Sequence, residues 1–552
     1  MNSNKRAQID LSNVEPPRRL ARRLGNLFLT NAVPAAEAGR LFRDAEASGS
    51  AHMDRLATLG SRRADDLARH RDVLRKMNRN RHWPGQYIVQ APLWNHKEQK
   101  EEQGDIVMWL PHEILYCLDA KARNPSNLRK LEVLQEQERQ FLDVAASSLQ
   151  VGSEDLMLVG IWGDGTPLNR DRSQVAEVLS MNILSCETRS DTRFPLCILQ
   201  KHLMVKNQTW NLILEVISWS FRFAAAGVFP RCRHDGSPWH ASDGYRAEKQ
   251  GSACPRAVLG QVRGDWAFFK QVLYLPAWNE NHGCCWFCNM TPDRVAEVGK
   301  TASWLRPENR HTHWSALCSL QEKSPLLGCP LFNLAMIQLD WLHVVDLGIC
   351  LEFIGSSLKF IVDHKLEGGT VHDRCKQLHR EMVEFYDSHD VANRLPELRH
   401  TMIKQDKKPY PKLRAKAAEA RCLVPFVEFL CQALLDEGDE FERNLLAAAR
   451  DFQACYRQLS PSVFSKQGLA NAGVEFANRY VWLSNRAEAN GWKLFRVKPK
   501  LHMFCELTYA ATACPSLSWT YRDEDFGGKA AQLAARRGGK NSALALGRAF
   551  FF

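Results

Sequence analysis

The chain has 552 residues, 45% of them hydrophobic and 24% charged, and a formal net charge of +11. This balance describes an ordinary globular protein of two or three lobes and excludes a disordered chain. No apolar run reaches the roughly eighteen residues that cross a membrane, and the N-terminus lacks the apolar segment of a secretory signal, so neither a membrane protein nor a secreted one is expected.

The charge is unevenly spread. Residues 1–90 hold 17 basic side chains against 9 acidic, residues 394–421 hold 9 against 3, and the stretch from Lys529 onward holds five and none. Local basic blocks are what a polyanion-binding protein needs, because each phosphate contact releases counterions. Solvated surface charge is the alternative for any one block. The 17 cysteines show no framework spacing, which in a long chain points to reduced thiols in an intracellular compartment.

Taken in order, residues 1–80 read as helices. Arg18, Arg19, Arg22 and Arg23 interleave with Leu20, Leu24, Phe28 and Leu29, and a second helical pattern runs from Leu41 to Leu74. With an extended stretch at 87–90 between Pro84 and Pro92, this makes residues 1–110 a basic helical N-terminal arm. Residues 111–150 read as helix, solvated through 130–140. The apolar run 156–162 has buried-strand character and leads into Gly163-Asp164-Gly165. Residues 175–184 and 194–205 read as strands, 210–223 as an amphipathic helix, and 258–275 completes an α/β pattern over 111–280. A Cys/His segment, 281–345, follows. Residues 346–495 are mainly helical, with long patterns at 345–363 and 415–455 and a polar break at 485–492. Residues 498–507 and 519–537 form a last helical portion within 496–552.

The acidic residues carry the first candidate chemistry. Asp164 follows a strand and precedes a glycine, so its carboxylate can project from a strand end. Asp265 lies between Gly264 and Trp266, and Glu524 stands in a short acidic cluster before a basic, Ala-rich helix. Acidic oxygens from separate elements are what a pair of Mg²⁺ or Mn²⁺ ions requires. Turn or cap residues are the bland alternative. Cys285-x-x-Cys288 is a thiolate hook for one edge of a tetrahedral Zn²⁺ site, with His311, His313, Asp340 and His343 as candidates for two further ligands. Two buried structural thiols are the alternative.

Lys404, Lys407, Lys408, Lys412, Arg414 and Lys416 surround Pro409-Tyr410-Pro411, a cationic loop suited to a phosphate backbone and with the form of a nuclear-import signal. Arg536 and Arg537 follow Glu524 and suit a nucleic-acid strand beside it. The sequence contains no GxxxxGK[ST] loop, GxSxG elbow or HExxH helix, which disfavours nucleotide hydrolysis, serine hydrolysis and zinc proteolysis.

Several segments, in order over roughly 155–540, resemble the transposases of CACTA (En/Spm-type) DNA transposons. Asp164-Gly165-Thr166-Pro167 with Ser173 is similar to that family's DGFNP segment and its serine, and Gly264-Asp265-Trp266 to its NDFPAYG segment. Gly283-Cys284-Cys285-Trp286-Phe287-Cys288 is similar to its ACPxC hook, with His311-Thr312-His313 where the family has a histidine. Leu339-Asp340-Trp341-Leu342-His343 resembles LDVMH, Lys498-Pro499-Lys500-Leu501-His502 its PKxH segment, and residues 519–526 its WMYPFERY segment.

The resemblance implies an α/β RNase H-like core with a large, mainly α-helical insertion. It implies Asp164, Asp265 and Glu524 as a catalytic triad holding Mg²⁺ or Mn²⁺. Cys285, Cys288, His313 and His343 would form a zinc-knuckle-like insertion. The implied activity is metal-dependent DNA strand cleavage and strand transfer in the nucleus, with DNA and further copies of the chain as partners. The chain departs from the pattern where Asp346 stands near the family's Glu and Trp266 replaces a Phe-Pro pair; Asp523, Asp525 and Glu506 compete with Glu524 as the third acid. A catalytically inactive DNA- or protein-binding derivative and a zinc-binding helical scaffold are the other readings.

Overall fold

The computed structural model describes residues 35–51, 84–122, 124–169, 171–189, 192–280, 284–311, 322–404 and 407–536, with isolated positions 17, 20 and 24. Most of the helices expected over 1–80 lie outside these residues; Ala35–Ala47 is a helix (α1). Two strands, β1 (Tyr87–Asn95) and β2 (Lys100–Met108), form an antiparallel hairpin. β1 alternates buried and part-exposed residues, and its Pro92 is tolerated because β1 is an edge strand. β2 escapes the sequence reading because its first six residues are polar or glycine and solvent-facing. The last part of the expected helical arm, 87–108, therefore belongs to a sheet.

Residues 111–150 are not one helix but two, α2 (Pro111–Lys121) and α3 (Glu136–Leu149), with two single turns of 3₁₀ helix between them. Pro125 lies in that gap and lacks the N–H that a continuing helix needs. Strands β3 (Leu156–Pro167), β4 (Val175–Ile183) and β5 (Phe194–Gln200) then form an antiparallel meander. The expected strand over 194–205 stops at Gln200. Helix α4 (Gln208–Ala226) crosses the sheet and returns the chain as β6 (Arg256–Gly264), parallel to β3. The six-stranded sheet is mixed, in the order β1-β2-β5-β4-β3-β6.

β3 is buried on both faces from Leu156 to Gly163, which explains its continuous apolar run. Leu156 and Leu158 pack with Leu142 and Ala145 of α3, while Trp162 packs with Phe526 and Ala530 of the last helix. Met157, Val159 and Ile161 join the core on the opposite face with Ile213, Leu214 and Ile217 of α4. By this alternation Asp164, two residues beyond Trp162, faces the layer of the last helix. The final parallel pair is Gly163 with Gly264, so Asp164, within β3, and Asp265, just past the end of β6, occupy adjacent positions on neighbouring strands. Helix α5 (Trp266–Leu273) starts at once, and a methyl at Gly163 would lie 2.0 Å from Phe268 Cε2, so only glycine lets that ring cross the strand ends.

Beyond β6, Ile337 bridges in parallel to Val262, and Gln338 N–H donates to Val262 O at 3.0 Å. This added edge carries residues 339–343 to the end of the sheet that holds both aspartates. A stretch of π-helix, Leu342–Ile349, leads into α6 (Cys350–His364). Helices α7 (Val371–Ser388), α8 (Ala417–Leu434), α9 (Glu440–Arg457) and α10 (Lys466–Ala489) follow, then α11 (Pro499–Tyr509) and α12 (Tyr521–Arg536). The pattern expected over 415–455 is two helices, because Asp439 caps a fresh start by accepting from Glu442 N–H. The polar break expected at 485–492 begins only after Ala489, since Asn485, Arg486 and Glu488 occupy the exposed face of α10. Among the described residues no helix is long and apolar enough to cross a membrane.

Candidate metal centres

Asp164 from β3, His343 from the π-helical stretch and Glu524 from the first turn of α12 each bring one ligand atom within 4.8 Å of the others. Asp340 produces this convergence. Its buried carboxylate accepts from Thr520 N–H at 3.0 Å and Thr520 Oγ1 at 2.6 Å, just before α12 begins. It also accepts from His343 Nδ1 at 2.5 Å and from the backbone N–H groups of Leu342 and His343, both at 3.2 Å. One side chain thus orients the imidazole and anchors the helix that carries Glu524. A second tie runs through Asp346, which accepts from Tyr521 at 2.6 Å and from Tyr456 at 2.5 Å. The free edge of the ring, His343 Nε2, ends 3.6 Å from Glu524 Oε1.

Asp265 flanks this group at the adjacent strand end. Its Oδ1 caps α5 by accepting from Phe268 N–H at 2.6 Å. The competing acids are used elsewhere. Asp523 is buried in ion pairs with Arg193 and Arg263, Asp525 is exposed, and Glu506 belongs to the second centre. Of the four acids considered for the third position, Glu524 is the one in the compact group with Asp164.

Crowding sets the electrostatics. Burial and the Asp265 charge push Asp164 up to about 6, against the pull of His343 and of its contact with Glu524. Burial and Asp164 together push Glu524 up to about 9. Burial by itself lowers His343, but Asp340, Glu524 and Asp164 outweigh it and hold the ring at about 9. Glu524 Oε1 is buried without a hydrogen-bond donor among the described residues. A divalent cation would supply the positive charge these oxygens lack.

All three shifts have the same sign: the folded state binds more protons than the unfolded one. The two acids stabilise less as pH rises from about 4, and the imidazolium contribution is lost between about 6.5 and 9. We therefore expect the melting temperature in EDTA to fall across this range, and Mg²⁺ or Mn²⁺ to offset the fall increasingly towards high pH. Parallel melting curves with and without the ion would argue against cation binding at this cluster.

The second centre lies deeper. Cys285, Cys288, His502 and Glu506 are all buried, with ligand atoms within 4.8 Å of one another. Cys288 Sγ stands 3.3 Å from His502 Nε2, Cys285 Sγ 3.7 Å from Glu506 Oε1, and His502 Nε2 3.5 Å from that same oxygen. Phe287 N–H donates to Cys285 Sγ at 3.3 Å, and Arg310 Nη1 donates to Glu506 Oε1 at 2.6 Å. The hydrogen bond from Cys285 and the nearby His502 pull Cys288 down to about 6, while burial drives Cys285 well above the usual thiol range.

This set corrects the expected one. His343 does not face the thiols, because Asp340 grips its Nδ1 at the acidic cluster. His313 lies outside the described residues, and His311 turns its Nδ1 to Trp286 O at 3.1 Å. His502 and Glu506 went unseen as ligands. Their His-x-x-x-Glu spacing, one turn apart on the buried face of α11, is the signal that could have found them. Lys407, Lys408, Lys412 and Arg414 are exposed on the segment between α7 and α8; Arg536 ends α12, and Arg537 lies outside the described residues. No protein-family model matches the chain, and no curated protein matches it.

Proposed function

We propose that the chain is a DDE-type DNA transposase or a derivative of one, of the CACTA-like kind, built on an RNase H-like core. The observation that carries this reading is the meeting of Asp164 and Glu524 at the strand end where Asp265 also emerges. The strand order supports the core: an antiparallel meander β3–β5, a helical crossover to parallel β6, and a further parallel bridge at Ile337. Asp164, Asp265 and Glu524 would hold Mg²⁺ or Mn²⁺. When bound, such ions polarise a phosphodiester and lower the pKa of the attacking water or 3′-hydroxyl. The chain's own part is positional. Asp340 keeps His343 cationic beside the two acids, and the Asp340–Thr520 contact sets the reach of Glu524.

Zinc is the ion we assign to the second centre. Zinc–ligand lengths of about 2.3 Å to sulfur and 2.0–2.2 Å to nitrogen or oxygen give tetrahedral edges of roughly 3.4–3.8 Å. The three ligand-atom separations are 3.3, 3.5 and 3.7 Å, two of them inside this range and the shortest just below it. Two thiolates and Glu506 would balance Zn²⁺ together with Arg310. The thiolate hook and α11 come from distant parts of the chain, so this ion would serve as a structural clamp.

Under this reading the partners are DNA and further copies of the chain, and the place of action is the nucleus. The test is nicking of supercoiled plasmid by the full chain with Mn²⁺ or Mg²⁺, abolished by EDTA and restored by the added ion. One observation favours a second reading, a catalytically inactive DNA-binding derivative: the His343 imidazolium already neutralises part of the acidic cluster. DNA binding without metal-dependent nicking would select it.

A further inference from the structure

Helix α11 opens with two lysines, Lys498 at its cap and Lys500 in its first turn. Cations at the positive end of a helix dipole cost stability rather than add it, so the helix itself does not favour them. A third lysine, Lys412, arrives from the basic segment between α7 and α8. Lys498 Nζ pairs with Glu352 Oε1, and Lys412 Nζ lies 3.9 Å from the same oxygen. Glu352 is buried and fixed on α6. Lys500 Nζ donates to the backbone carbonyl of His343 at 2.6 Å, so its ammonium stands at the rear of the histidine that faces Asp164 and Glu524. Gly348 opens the way for it: a methyl there would lie 2.7 Å from Lys500 Cδ.

The ammonium groups of Lys412 and Lys498 thus share a single carboxylate, and the first acid acting on Lys500 is Asp265, from the edge of the acidic cluster. Lys412 is exposed and the other two are half-buried, which makes a graded cationic path from the surface to the cluster. A folding role would pair these charges one to one. Two ammonium groups on one carboxylate and a third on a backbone carbonyl leave cationic charge in excess, which suits a polyanion.

We propose that Lys412, Lys498 and Lys500 form a phosphate site that seats the sugar–phosphate backbone of a DNA strand beside Asp164, Asp265 and Glu524. The proposal rests on the nucleic-acid reading above. It adds Lys498 and Lys500 to the basic segment recognised in the sequence and gives the bound strand a direction, from Lys412 inward to Lys500.

The test is binding of a labelled DNA duplex to the full chain over a salt series. Lys412→Met, Lys498→Met and Lys500→Met are compared with Lys97→Met on the exposed turn between β1 and β2. Each cradle variant should lower the slope of log K against log salt by about 0.9, the value for one phosphate contact, while Lys97→Met leaves it unchanged. Thermal melting checks folding, and exposed Lys412 keeps the test valid if the Lys500 variant fails to fold. A wild type that binds with the same slope as the cradle variants overturns the phosphate site alone, as does an equal loss in Lys97→Met. A wild type that binds no DNA overturns the nucleic-acid reading and this site with it.

Discussion

Replacing Cys288 with serine is expected to abolish binding of the zinc ion proposed for the second centre and to cost on the order of 4–5 kcal/mol of stability or more. The size follows from what the site joins. Cys285 and Cys288 sit in a loop-rich segment among single 3₁₀ turns, whereas His502 and Glu506 sit on α11. Cys288 is the thiol already drawn down to about 6 by its neighbours, so it would bind metal as a thiolate near neutral pH with little proton release. Serine at that position keeps the volume but is a poor ligand for zinc. It also leaves Cys285, His502 and the Glu506–Arg310 pair as buried polar groups around a missing centre. Elemental analysis and a melting curve on the same sample decide it. Wild-type zinc content in the variant would remove Cys288 from the ligand set, and a chelator should reproduce the loss in the unmutated chain.

Glu524→Gln is expected to reduce metal-dependent nicking by about 10²–10³-fold, the scale for losing one preorganised charge-stabilising group, with little change in zinc content. Gln is isosteric, so the contact between α12 and the sheet survives while the anionic oxygen is lost. The neighbouring acids make the controls. Asp525→Asn changes an exposed side chain that lies 3.9 Å from Arg522, and should leave nicking intact. Asp523→Asn breaks a fully buried pairing with Arg193 and Arg263, and should lower stability by about 3–5 kcal/mol. Activity that tracks Asp523 or Asp525 instead of Glu524 would move the third acid.

Much of this arrangement was legible in the residues. The apolar run ending at Gly163-Asp164 announced a buried strand, and α12 was visible as a last helical segment. What escaped was whatever depends on distant partners. Asp340 and His343 stood out together, but nothing in their local pattern says that Thr520 completes the bonding of Asp340. Without that contact the histidine looked equally suited to the thiols. His502 lies in a Lys-Pro-Lys-Leu-His segment and Glu506 reads in sequence as a competing third acid; only the helix shows that they share a face. β2 was missed because its polar residues face solvent, where hydrophobic alternation carries no signal.

The late position of α12 has a consequence for synthesis. Arg193 and Arg263 are buried in the sheet against Asp523, and Asp340 is buried against Thr520. A nascent chain still on the ribosome at residue 500 carries the strands of the sheet but not Asp523, the carboxylate that pairs with Arg193 and Arg263. The sheet is therefore expected to reach its final packing only after the last helix emerges, because burying a charge away from its ionic partner is costly. Under the proposed function, cutting competence would then appear only once α12 has emerged. Prematurely terminated products that lack α12 should be both harmless to DNA and preferred substrates for cellular proteolysis.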